Sequence, residues 1–207
     1  HSDPNYVACF AKGQFPDEDP EKQLFRIAHI MEANDHHKRF NKVYEYFRRR
    51  HKPRSILERW FPIEALGLDV GASADGDASC LTVGGKRGIR EQREEKFSDL
   101  TELVDWICEV MIDWHGIRLE KSGLPIGVDV DGVGKGAGDI LRKRGCRVIE
   151  IHGSAASLVD PKRYYNMRAE GYGELSDRID PQGYWKGVPF LLPTDPMLLE
   201  ELIAHQK

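Results

Sequence analysis

The clearest periodic signal in the chain runs from Leu100 to Trp114. Leu100, Leu103, Val104, Ile107, Val110, Met111 and Trp114 fall at the three-four spacing of one buried helix face. Ser98 or Asp99 can cap its start and Gly116 can end it. Ahead of this helix, the short apolar runs Ile63–Val70 and Ala78–Val83 read as strands, and a third strand is expected within 88–97. Gly71–Asp77 between the first two is a turn by composition. Beyond the helix, Ile126–Asp131 reads as a buried strand, 135–144 as a helix closed by Gly145, and Cys146–Ile151 as a further strand. The order strand, strand, strand, helix, strand, helix, strand predicts an α/β fold. Its mixed central sheet is a three-strand antiparallel meander followed by helix-linked parallel strands, with helices on both faces.

The flanks are less regular. Residues 1–62 read as a junction or linker, and 63–207 as the folded domain. Prolines break the acidic stretch Phe15–Pro20. Leu24, Ile27, Ala28 and Met31 then fall at helix spacing, and Lys38–Lys52 is basic and interleaved with aromatics. That basic run is read equally well as a solvated surface or as a DNA-contacting segment. Past His152, Tyr165–Ile179 reads as a helix despite Gly171 and Gly173, and Pro196–Gln206 as a short one. The absence of an initiating Met and the abrupt end at Lys207 suggest a piece of a longer protein.

Composition modifies this picture little. A hydrophobic content of 40% and a charged content of 31% suit an ordinary globular domain. The net charge of -4 carries no global signal for nucleic acid, although nucleic-acid binding requires only a local basic surface. No apolar run approaches the roughly 20 residues of a membrane span. Cys9, Cys80, Cys108 and Cys146 lie at neither CxxC nor zinc-finger spacing and read as reduced thiols.

The candidate chemistry centres on two carboxylates. Asp69 stands near the end of the first apolar run, and Asp129 stands between Val128 and Val130 in the later one. A carboxylate in a strand interior is costly to bury without compensation. Either aspartate alone is accounted for by a strand end, a loop cap or an arginine partner. The pair on neighbouring strands points to a shared hard cation, Mg²⁺ or Mn²⁺, held by few carboxylates together with water and phosphate. Two such ions suit phosphodiester hydrolysis. Asp131, Asp77 and Glu170 are weaker metal candidates; Asp75 and Asp77 flank Gly76 in ordinary turn chemistry, and Glu170 and Asp177 suit exposed helix positions equally well. Lys135, Lys162, Arg163 and Arg168 are candidate phosphate contacts. The loop Asp131–Gly138 is strand, glycine loop and helix with a lysine, but Gly134-Lys135 is followed by Gly136, where a P-loop requires Ser or Thr. His36, His37, His115 and His152 have no partners at recognised metal spacing.

These residues carry a resemblance. Gly67-Leu68-Asp69-Val70-Gly71, and Val128-Asp129-Val130-Asp131-Gly132-Val133-Gly134-Lys135-Gly136 with Asp139 and Leu141, are similar to the nuclease motifs of tailed-phage terminase large subunits. Asp160–Glu170, Leu192–Pro196 through Leu202, and Gly13-Gln14-Phe15-Pro16 match further stretches of that family, the last at its ATPase–nuclease junction. The resemblance implies a ribonuclease H-like fold and cutting of concatemeric viral double-stranded DNA during genome packaging, with Asp69 and Asp129 as the first two metal ligands. Asp131 falls at a variable position. The family's third acid lies in a motif like Pro-Asp-x-x-Asp-Ala-Leu, beyond Lys207. Also implied are two Mg²⁺ or Mn²⁺ ions, the portal protein, the small terminase subunit and the upstream ATPase domain as partners, and the cytoplasm of the infected bacterial host, not the mature virion, as location. The competing readings are a resolvase-like nuclease of the same fold, a catalytically incomplete DNA- or portal-binding module, and a nucleotide-binding regulator using the glycine loop.

Overall fold

The computed structural model describes residues 24–49, 55–71, 76–183 and 187–204. The Gly-x-Phe-Pro junction, the acidic proline stretch, Asp75 and the end of the basic run lie outside the described residues. Two helices come first, α1 (Ile27–Arg49) and α2 (Ser55–Trp60). The strands are β1 (Ala65–Asp69), β2 (Ser79–Gly85), β3 (Gly88–Glu95), β4 (Pro125–Asp129) and β5 (Arg147–Ile151). Between and after them lie α3 (Leu100–His115), α4 (Leu119–Ser122), α5 (Gly134–Lys143), α6 (Met167–Ile179) and α7 (Pro196–Ala204).

The sheet has five strands in the order β3-β2-β1-β4-β5. β1 pairs antiparallel with β2, and β2 with β3. β1 pairs parallel with β4, and β4 with β5. The expected mixed sheet, a meander continued by helix-linked parallel strands, is therefore the one observed. The expected strand over 126–131 is shorter: β4 ends at Asp129, and Asp131 lies in the bend that follows.

Burial alternates along the central strands. Leu66 and Leu68 of β1, Leu81 and Val83 of β2, and Ile126 and Val128 of β4 share one face and are buried. They pack against Leu103, Val104, Ile107, Val110 and Met111 of α3 and against Ala137 and Leu141 of α5. Removing apolar area from water at ~25 cal/mol per Å² makes this cluster the principal stabilising unit. The helix ends are chemically defined. Asp99 caps α3 by accepting from the amides of Thr101 and Glu102, and Gly116 closes it at φ 68°, its amide donating to Ile112 O.

Helix α1 absorbs the described part of the basic run, continuing unbroken to Arg49. Its buried stripe is Ile27, Ile30, Ala33, Asn34, His37 and Phe40, whereas Met31 is exposed. Phe25, Ile30 and Ala33 pack with Ile179, Leu192, Leu199 and Leu202. The His37 ring donates from Nε2 to Arg90 O at 3.1 Å, and Asn41 donates to Nδ1. Burial pushes the His37 pKa down, which favours the neutral ring this pairing needs. Lys38 and Arg49 of α1 face outward, Lys38 beside Asp35 and Arg49 beside Glu45.

Candidate active site

The face of the sheet that the main core leaves over carries both candidate aspartates. Because side chains alternate along a strand, Gly67 and Asp69 lie opposite Leu66 and Leu68, and Gly127 and Asp129 lie opposite Ile126 and Val128. Gly67 is in register with Gly127, and Leu68 with Val128. Asp69 and Asp129 are the next residues on these two strands. The two aspartates therefore stand side by side, on one face, at the carboxyl ends of neighbouring parallel strands. Asp69 is exposed and Asp129 half-buried.

The two carboxylates are held differently. Asp129 Oδ1 accepts the amide of Asp131 at 3.0 Å, which turns the chain and orients the carboxylate. Among the described residues, Asp69 makes no side-chain hydrogen bond or ion pair. Helix α5 starts immediately above this turn. A Cβ at Gly134 would come within 1.9 Å of Asp129 O, so only glycine lets the helix begin so close to the strand end. The glycine loop thus serves close packing against β4, in agreement with its mismatch to a phosphate-binding loop.

Asp131 is engaged elsewhere. Its Oδ1 lies 3.3 Å from His152 Nδ1, and its Oδ2 accepts from the amide and hydroxyl of Ser154, both at 3.2 Å. The Ser154 amide, with its hydroxyl and His152, holds the Asp131 pKa below the ordinary carboxylate range. The carboxylate thus ties the loop after β4 to the loop after β5. No sequence spacing signals this latch: 21 residues separate Asp131 from His152. The register of Asp129 with Ile151 brings them together.

The remaining candidates separate. Asp77 is exposed just ahead of β2, and its carbonyl lies close against Gly71, two residues past Asp69. It is therefore at the same end of the sheet. Glu170 is committed to a loop: Oε2 accepts from Ser157 Oγ at 2.6 Å, Leu158 N at 2.9 Å and Val159 N at 3.3 Å. These donors, Ser157 first, hold its pKa below the usual range. Arg163 forms a two-pronged ion pair with Asp177 at 2.9 and 3.2 Å. Lys135 stands exposed in the first turn of α5, and Lys162 and Arg168 are exposed on the connection after β5 and at the start of α6. None of these three forms an ion pair among the described residues, although Lys135 lies close enough to Glu150 to help hold its pKa down after Arg142. Arg168 lies over Gly153.

Among the described residues no group of three or more His, Cys, Asp or Glu is arranged to hold a metal ion. The pair Asp69 and Asp129 still fits a hard divalent cation. Both are oxygen donors, they open toward water, and Mg²⁺ commonly takes one or two carboxylates and completes its shell with water and phosphate.

No family model and no curated protein sequence matches the chain. Solved structures do. The nuclease domain of the large terminase subunit of bacterial virus Sf6 superposes with a TM-score of 0.59 at 17% identity, covering 87% of this chain and 81% of that one. A mutant of that domain with manganese gives 0.57 at 17% identity over the same shares. A mutant with calcium gives 0.55 at 18%, again covering 87% and 81%. At such identity the likeness establishes the fold, and the fold is the ribonuclease H-like one expected from the motifs.

Proposed function

We propose that this chain is the nuclease module of a tailed-phage terminase large subunit, a metal-dependent endonuclease that cuts concatemeric viral double-stranded DNA during genome packaging. The observation that carries this reading is the pairing of Asp69 and Asp129 at the carboxyl ends of β1 and β4, on the sheet face free of the main core. Its support from outside the chain is the shared fold with the Sf6 nuclease domain, solved with manganese and with calcium.

In this reading Asp69 and Asp129 hold Mg²⁺ or Mn²⁺, as one ion or two. A divalent cation held there would supply Lewis acidity and make the attacking water easier to deprotonate. The chain's own residues do the positioning. The Asp131 amide fixes the Asp129 carboxylate, and the latch of Asp131 to His152 and Ser154 keeps the two loops beside the site in register. Lys135, Lys162 and Arg168 contact backbone phosphates, which position a duplex without reading its sequence. Arg163 belongs to this basic group only if DNA competes with Asp177 for it. Asp77 and Glu170 have no direct part: the first is a turn residue at the site's edge and the second a loop clamp. The working context is the portal, the small terminase subunit and an ATPase domain, in the cytoplasm of the infected host.

The test is cleavage of supercoiled plasmid with Mg²⁺, with Mn²⁺ and with chelator, comparing this chain with Asp69→Ala. Nicking and linearisation that need the metal and vanish in the variant support the reading. Cleavage that survives in Asp69→Ala contradicts the site, and absence of cleavage with either metal contradicts an active nuclease in this chain.

A further inference from the structure

The connection between β5 and α6 presents aliphatic side chains to water. Leu158 is 77% exposed and Val159 73% exposed, and Tyr165 further along the same connection is more exposed still. Exposed aliphatics at a loop tip ordinarily cost little when the tip is free to fold them back. Here it is not free. Ser157 is buried and gives its hydroxyl to Glu170, and the amides of Leu158 and Val159 donate to the same Glu170 oxygen. Ser157 Oγ also accepts the Asp160 amide at 3.2 Å. One carboxylate on α6 therefore clamps the segment from beneath while its two aliphatic side chains point outward.

The position and charge of this segment indicate what meets it. It begins at His152 and Ser154, which hold Asp131, two residues beyond Asp129. Its acids keep their charge but point at donors within the segment: Glu170 at the loop amides, and Asp160 at the amides of Lys162 and Arg163. Lys162 and Arg168 keep their charge without a carboxylate partner among the described residues. The segment is thus hydrogen-bonded into place, apolar at its tip, flanked by Lys162 and Arg168, and joined at its start through His152 and Ser154 to Asp131, two residues beyond Asp129. That combination suits a polyanion with an apolar interior, and duplex DNA has both. Apolar side chains wedged between base steps from the minor groove are a general device for opening a duplex, offset by the added contacts a deformed helix makes.

We propose that Leu158 and Val159 form a clamped apolar wedge that enters the minor groove beside the cleavage site and partly unstacks a base step there, an inference that rests on the nuclease reading above. The wedge reads no base edge, and easily unstacked pyrimidine–purine steps favour its entry.

The experiment uses the whole chain and the double variant Leu158→Ser/Val159→Ser, which changes only exposed side chains. A short duplex containing 2-aminopurine reports unstacking by fluorescence with Ca²⁺ as the divalent ion. Plasmid nicking and hydrolysis of bis(p-nitrophenyl) phosphate with Mn²⁺ are followed in parallel. The unaltered chain brightens the duplex on binding, and the double variant does not. Its plasmid nicking falls roughly tenfold, an ordinary loss for truncated interface anchors, while hydrolysis of the small phosphodiester, which has no groove, is unchanged. The wedge is overturned if the unaltered chain binds without brightening or does not bind the duplex. It is also overturned if the double variant brightens equally, or if the variant loses both activities together. Cleavage without brightening removes the wedge and leaves the nuclease. Brightening without hydrolysis of either substrate does the reverse.

Discussion

The two faces of β1 and β4 divide the work of the molecule. One face, Leu66, Leu68, Ile126 and Val128, is buried against α3 and α5. The other, Gly67, Asp69, Gly127 and Asp129, carries two glycines and two acids. Successive residues of the same strand thus differ in role: every second side chain removes apolar area from water, and in the proposed function the ones between are free for chemistry. A strand buried on both faces would leave no such room. The difference implies that stability and catalysis should come apart on substitution, one residue at a time.

The sharpest break is at Asp129→Asn. The amide keeps the acceptor for the Asp131 amide but loses the charge, so metal-dependent plasmid cleavage should fall by roughly 10²–10³, the usual cost of removing one electrostatic stabiliser. The thermal midpoint should move little. A large drop in the midpoint would place Asp129 among the structural residues and erase the distinction between faces. Three residues earlier, Ile126→Ala should do the opposite. Ile126 is fully buried, so truncation should cost about 2–5 kcal/mol in urea unfolding, with metal-dependent activity per folded molecule preserved.

Lys135→Ala sharpens the comparison on the DNA side. Losing one phosphate contact should reduce the slope of log affinity against log salt by about 1. Binding should therefore weaken most at low salt and little at high salt. An unchanged slope would take Lys135 out of the interface.

The smallest effect belongs to Glu170. Its folded pKa is depressed relative to the ordinary 4.5, so the clamp contributes fully above that value and is lost as pH falls through the depressed folded pKa. Hydrogen exchange at the amides of Leu158 and Val159 should be slow at neutral pH and faster in Glu170→Gln. The difference between the two proteins should shrink in acid. Equal exchange at neutral pH would mean that the carboxylate does not hold the loop.

Much of this arrangement is legible in the residues. The three-four spacing of α3, with Asp99 before it and Gly116 after it, defines a helix whose ends match the structure, and the apolar runs give β1, β2, β4 and β5 in order. Asp69 and Asp129 attract notice because they interrupt or end apolar runs. Helix α1 is less legible, because its buried stripe includes Asn34 and His37. The apolar spacing is therefore incomplete, and the exposed Met31 fits a pattern it does not join. Asn34 is set against the carbonyls of Leu192 and Pro193 and His37 against that of Arg90, contacts made by residues remote in sequence. The latch on Asp131 is illegible for the same reason. His152 and Ser154 meet it only because β4 and β5 run parallel in one register, and local spacing carries no trace of that. The Glu170 clamp follows the same rule, joining α6 to a segment eleven to thirteen residues earlier.

The most direct test of the central claim is where a paramagnetic ion binds. Mn²⁺ titrated into the isotope-labelled chain should broaden the amide resonances of Asp69–Gly71 and Asp129–Asp131 first, together with those around Ser154. The broadening should disappear in the double variant Asp69→Asn/Asp129→Asn. Broadening centred elsewhere, or undiminished in the double variant, would contradict the assignment of the paired aspartates as the metal site.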